Sequence, residues 1–262
     1  MEEDTRSERQ AIGAWRRLAN TLKQFGTRNS QQCINYDPHN HPHQARMSTK
    51  LHTIAKTGCP VWQLDSGLVV WQGNATINGD GANGRTGGIA CYRPDNSGLD
   101  DIQNAHDPRG ETLVDQWPGL LVLGDTKILQ GETDPDPGAY ISTTAYQWRH
   151  LPVRDVDRYV DSAAVPGLVV PSIVRRLCKG VAIGSQGWIT RISTGQRIPC
   201  VSYDEGPSED SGEMSIAAAI ELEIPADPRN GGTDEVDFLY SFMPGRAANI
   251  NGTVYALIPM GS

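Results

Sequence analysis

The sequence predicts a β-rich (α+β) fold, a single barrel-like domain with few helices. Glycine (28) and proline (17) together supply 45 of the 262 residues, which cuts the chain into short segments and leaves little room for long helices. From Cys59 onward, short runs rich in Val, Ile, Leu and aromatic residues alternate with turn residues. Only one strong helical stripe interrupts that pattern.

Strands are expected at residues 61–64, 68–71, 89–92, 120–123, 167–170, 181–183, 188–192, 198–203, 236–242 and 253–258. The helix is expected over 213–223, where Ile216, Ala217, Ile220 and Ile224 form an apolar stripe against Glu221 and Glu223. Asp210, three residues before Glu213, reads as a capping pair with it. A second helix is expected over residues 8–25, with Ile12, Trp15, Ala19, Leu22 and Phe25 at three- and four-residue spacing. Residues 26–46 are polar and carry Pro38 and Pro42, which suits a linker or arm. His39, His41 and His43 alternate within it, but no second ligand cluster accompanies them, so no metal site is expected. The chain divides into an amino-terminal helix with a polar arm, residues 1–45, and one domain over 46–262, without internal repeats.

Charge and motifs narrow the function. With 31 Asp+Glu against 23 Lys+Arg the net charge is -8, and no basic block is present to neutralise phosphates, so nucleic acid is not an expected partner. No apolar run approaches the roughly 18–20 residues that span a bilayer, so no membrane partner is expected either. The start, Met1-Glu2-Glu3-Asp4, lacks the basic and apolar regions of a secretory signal. The five cysteines contain no CxxC pair, which argues against a zinc ribbon or thioredoxin-type site and permits two disulfides and one free thiol. Walker and dinucleotide glycine loops are missing, so no cofactor is expected. A Gly-x-Ser-x-Gly elbow is also missing, and His106 and His150 have no placed partner for a serine triad.

The chemistry concentrates in residues 201–217. A strand delivers Asp204 at its end, Gly206-Pro207 turns the chain, and Gly212 precedes Glu213. Acid/base hydrolysis of a glycosidic bond needs two such carboxyls, one protonating the leaving oxygen and one activating water. The residues alone equally allow Asp204 as a turn residue and Glu213 as a capping glutamate. Glu205, Glu209 and Asp210 fit a solvated acidic loop, or an acidic rim that attracts a polycation. Asp80, between Asn78 and Asn83, suits a structural turn or a substrate contact. Asp161, after Asp155 and Asp157, suits a solvated surface or a hydrogen bond to a glucosamine ammonium. Trp62, Trp71, Trp148 and Trp188 suit core packing, with sugar stacking as the alternative.

This segment resembles the catalytic region of the fungal-type chitosanases, glycoside hydrolase family 75, in which a strand ends in Asp, followed by Gly-Pro, a short spacer, Gly-Glu and an apolar helix. The likeness extends over Asn78-Gly79-Asp80-Gly81, Cys91 to Asp95, Gly98-Leu99-Asp100, Asn104-Ala105, Tyr140 to Thr144, Tyr159 to Ser162 and Val165 to Pro171, in that order. It implies that Asp204 and Glu213 are the catalytic carboxyls, with Glu213 expected as acid and Asp204 as base and the reverse left open. It also implies substrate contacts from Asp80, Asp161 and Tyr203. The implied activity is endo-acting, inverting hydrolysis of β-1,4-linked glucosamine in chitosan, a cationic amino-sugar polysaccharide, by an extracellular enzyme. Strand, Gly turn and small helix are reminiscent of double-psi barrels. The alternatives are a hydrolase of another amino-sugar polysaccharide, which Ser211 and Met214 would permit, and a noncatalytic carbohydrate-binding or structural domain of the same fold.

Overall fold

In the computed structural model, residues 48–107, 117–209 and 212–259 are described. The expected amino-terminal helix, the polar arm with its three histidines, and Asp210 lie outside them. The strands are β1 (Ser48–Thr53), β2 (Pro60–Leu64), β3 (Val69–Asn78), β4 (Val122–Leu123), β5 (Thr126–Lys127), β6 (Gly167–Pro171), β7 (Ser185–Arg191), β8 (Arg197–Gly206), β9 (Glu213–Ser215), β10 (Thr233–Ile250) and β11 (Thr253–Tyr255). Two short α-helices accompany them among the described residues, α1 (Ser172–Leu177) and α2 (Ile216–Glu221).

Six strands close into a barrel. Hydrogen bonding runs β3–β9–β6–β8–β7–β10, and β10 returns to β3. The pairs β3–β9 and β6–β8 are parallel and the other four antiparallel. Closure leaves no open edge in the ring. β1 and β2 continue outward from β3, and β11 pairs with the far end of β10.

Period-two alternation fills the barrel. Along β10, Phe238, Tyr240 and Phe242 are all fully buried. Tyr240 is paired with Trp71 on one side and Ile189 on the other, and Ile189 with Ile198, so one row of buried side chains crosses four strands. Trp71 and Tyr240 stack at 5.5 Å between ring centroids, and the Tyr240 hydroxyl donates to the Asn74 carbonyl at 2.7 Å. A second interior row is Ile77, Met214 and Leu168. Leu168 lies so close to β7 that a Cβ on Gly187 would fall 2.5 Å from its Cδ2.

Several expected elements differ. The 213–223 helix is split: Glu213–Ser215 is a strand, and the helix starts at Ile216, capped by the Ser215 side chain, which accepts from the Ala218 N–H. The cause is tertiary, since these three residues fill the gap between β3 and β6 that closes the barrel. The later start also rotates the stripe: Ile216, Ala218 and Ala219 are buried while Ile220 is exposed. Around residues 89–92 and 181–183 only the isolated bridges Asn83↔Ala90 and Ile183↔Ile258 form. β1, polar and not expected, is held as an outer hairpin arm against β2. Cys59 is disulfide-bonded while Cys91, Cys178 and Cys200 are free thiols, so the two-disulfide arrangement is not adopted.

The segment between β3 and β6 is long and largely irregular, and it packs against the outside of the barrel. Its contacts with β8 include the Tyr146 N–H donating to the Tyr203 carbonyl at 2.8 Å. Gly187→Ala is expected to overpack the barrel and cost about 1–3 kcal/mol in denaturant unfolding. Adding Leu168→Val should recover part of that loss, as coupled neighbours do.

Candidate active site

Asp204 and Glu213 stand in one row on the outer face of the barrel wall. Val169 of β6 pairs with Asp204 of β8, and the antiparallel register that pairs Leu168 with Met214 places Glu213 of β9 opposite Val169 on the other side. Thr76 of β3 extends the row beyond Glu213. Directly opposed residues share a face of the sheet, so both carboxylates project away from the Ile77, Met214 and Leu168 row.

A β-bulge sets this alignment. Leu168 pairs with Ser202, yet the next residue, Val169, pairs with Asp204, so Tyr203 is an extra residue in β8. The insertion re-aims Asp204 and lays the Tyr203 ring over Gly167, where a Cβ would come within 2.3 Å of it. Glycine is needed there for close approach, and the same holds at Gly206. A Cβ on Gly206 would fall 2.8 Å from Glu213 Oε2 and 3.0 Å from Val169 Cγ1. Glu213 thus leans over Val169 toward β8, two residues from Asp204.

The neighbours divide the two carboxyls' roles. Asp204 is only 7% exposed, and its Oδ1 accepts the N–H groups of Ala145 and Glu205, each at 2.9 Å. Burial pushes its carboxyl well above the ordinary range, the charge of Asp80 adds to the shift, and the two N–H bonds oppose it. Glu213 is half-buried, and its Oε1 accepts from Asn78 Nδ2 at 2.9 Å. Asn78 Oδ1 in turn accepts the Tyr203 hydroxyl at 2.9 Å and the Asp80 N–H at 2.7 Å.

Asp80 joins the same group from the start of the long segment. Its Oδ1 accepts the Tyr92 hydroxyl at 2.7 Å and the Ser142 hydroxyl at 3.4 Å. Burial raises its carboxyl to about 7, against the Tyr92 hydrogen bond, with the Asp100 charge pushing the same way. Tyr203 is fully buried, and burial together with the charges of Asp204, Asp80 and Glu213 holds its phenol well above the ordinary range. Its ring has no solvent-exposed surface, and its hydroxyl is bonded to Asn78.

Asp161 belongs to another network. It is buried, not solvated: Oδ2 accepts the Thr86 hydroxyl at 2.9 Å, Oδ1 accepts the Ala163 N–H at 3.0 Å, and Arg85 Nε lies 3.8 Å away. Both oxygens are spent on loop structure. Of the acidic run, Glu205 differs from a solvated loop residue while Glu209 stays partly exposed. Glu205 is buried against Arg175 of α1, and Glu209 accepts the Ala55 N–H at 2.6 Å and pairs with His52 at 3.1 Å. Trp71 is core, Trp148 packs on Tyr146 and Tyr255, and Arg197 lies over Trp188 at 4.8 Å. Among the described residues no group of three His, Cys, Asp or Glu is arranged to hold a metal ion.

Asn78 is the residue that the sequence did not single out by role. Its signal is a polar side chain closing a long buried strand immediately before a Gly turn. The chain matches no protein-family model and no curated protein.

The raised Asp80 carboxyl links stability to pH. Between the ordinary carboxylate range and about 7 the folded state binds a proton that the unfolded chain has released. This contribution is complete in acid and lost as pH rises through about 7. Asp80→Asn keeps an acceptor for Tyr92 and removes the titration. Thermal unfolding from pH 4 to 8 should show a smaller loss of stability with rising pH than in the wild type.

Proposed function

We propose that the chain is an endo-acting, chitosanase-like glycoside hydrolase that cleaves β-1,4-glucosaminide bonds of chitosan with inversion. The observation that carries this reading is the row Asp204–Val169–Glu213, two carboxyls on one face with a small apolar side chain between them. An inverting glycosidase needs about 6.5–9.5 Å between its two carboxyls to leave room for a water, and a row with one residue standing between Asp204 and Glu213 is compatible with that need. The net charge of -8 favours a cationic chain as substrate. The resemblance to family 75 in residues 201–217 and the ordered blocks before it point to the same chemistry.

The surroundings support Asp204 as the acid and Glu213 as the base, the reverse of the assignment expected from sequence. Asp204 is the carboxyl that burial keeps protonated, and its Oδ1 can keep both N–H bonds while Oδ2 carries the proton. Glu213 is less buried than Asp204 and also receives an N–H donor, and both favour an ionised carboxylate there. In the reaction, Glu213 takes a proton from water as the water oxygen bonds to the anomeric carbon. The glycosidic C–O bond breaks, and its oxygen takes the proton of Asp204. One new reducing end results, and solvent exchange returns the proton from Glu213 to Asp204.

The test is reducing-end release from soluble chitosan, with chitin and peptidoglycan in parallel. Chitosan should be cleaved, and Asp204→Asn and Glu213→Gln should each lower turnover about 10²–10⁴-fold in a folded protein. Binding without release from any of the three polymers would favour the noncatalytic reading. Release from peptidoglycan alone would move the substrate while keeping the mechanism. Gly206→Ala, which pushes on Glu213 Oε2 and touches no polymer-binding group named above, should lower kcat at least about tenfold, one factor of ten being roughly 1.4 kcal/mol of barrier.

A further inference from the structure

The side chain of Asn78 has only one orientation that satisfies its neighbours. The Asp80 backbone N–H lies 2.7 Å from it, and a backbone N–H can only donate, so the amide atom facing Asp80 is the oxygen. The Tyr203 hydroxyl, 2.9 Å away, donates to that same oxygen. The NH2 group must then point the other way, where Glu213 Oε1 lies at 2.9 Å. Asn78 is 7% exposed and Tyr203 fully buried, so water does not compete freely for these bonds. An NH2 group has no acceptor capacity, so Glu213 Oε1 must be an acceptor to be bonded at all.

From this geometry we propose that Asn78 is a positioning residue that holds Glu213 in its ionised, proton-accepting form and fixes its carboxylate beside Gly206. The proposal rests on the reading of Glu213 as the base. It makes the hydrolysis depend on a residue that touches no substrate, and it gives Tyr203 and the Asp80 N–H their purpose, which is to stop the amide from turning over. Among the described residues, Tyr203 and Asp204 on β8 and Asp80 just after β3 interact by charge with one another or with Glu213. Asn78 sets an N–H donor on Glu213 within this group.

Asn78→Asp separates this role from a structural one. The replacement is isosteric and keeps an oxygen for the Tyr203 hydroxyl and the Asp80 N–H, but it sets an oxygen against Glu213 where a donor stood. The carboxyl of Glu213 is followed by 13C NMR titration, assigned by the signal missing in Glu213→Gln. Its midpoint should rise by at least about one pH unit in Asn78→Asp. The acidic limb of the kcat profile on chitosan should rise with it, lowering turnover about tenfold on that limb, with KM changed less than about twofold. An unmoved midpoint in a folded variant overturns the proposal. If Asn78→Asp does not fold, Tyr203→Phe is measured instead, since it removes one of the two donors and should move the midpoint in the same direction by less. An unmoved midpoint there would overturn the proposal equally. A shifted midpoint in a protein that releases no reducing ends would sink the hydrolase reading and leave the Asn78–Glu213 coupling standing. Hydrolysis with an unshifted midpoint would sink the coupling alone.

Discussion

The site depends on how β6 is held between β8 and β9. β9 pairs with Leu168 through Met214, which sets Glu213 opposite Val169, and β8 brings Asp204 to the same residue only by carrying Tyr203 as an extra residue. Without the bulge, Tyr203 would oppose Val169 and Asp204 would move to the next row. The two glycines follow from this one choice. Gly167 makes room for the displaced tyrosine ring, and Gly206 makes room for the glutamate that leans across Val169. The barrel's closure through β9 fixes the other carboxyl, because a strand paired along its length with β3 and at Met214 with β6 has little freedom to slide.

A row of carboxylates on the outside of a barrel would be ordinary surface if nothing covered it. The segment between β3 and β6 does so, placing Tyr92, Ser142 and the Ala145 N–H around Asp80 and Asp204. Burial then does what solvent would prevent, raising two carboxyls while hydrogen bonds limit how far each rises. The same burial turns Tyr203 and Asn78 into parts of one fixed chain of hydrogen bonds that ends on Glu213.

Much of the barrel is legible in the sequence because its strands alternate side chains with period two, as Phe238, Tyr240 and Phe242 show. Asp204 and Glu213 are legible as a pair because a strand end and a Gly turn lie between them. What is not legible is set by distant partners. Glu213 to Ser215 run directly into an apolar helical stripe, and only the gap between β3 and β6 makes them a strand. Asp161 reads as surface because it sits among other acids, but Thr86 and Arg85 bury it from another part of the chain. The hub role of Asn78 joins residues 125 and 135 positions away, which no local pattern encodes.

In the proposed mechanism Asp204 and Glu213 act on opposite sides of one glycosidic bond with a water between them. The stereochemistry of the first-formed product tests this most directly, by 1H NMR of a short glucosamine oligomer at early times, before the anomers equilibrate. The account predicts that the β-linked substrate gives the α-anomer first. The β-anomer as first product would contradict it, since that outcome needs a covalent intermediate and carboxyls only about 5–5.5 Å apart.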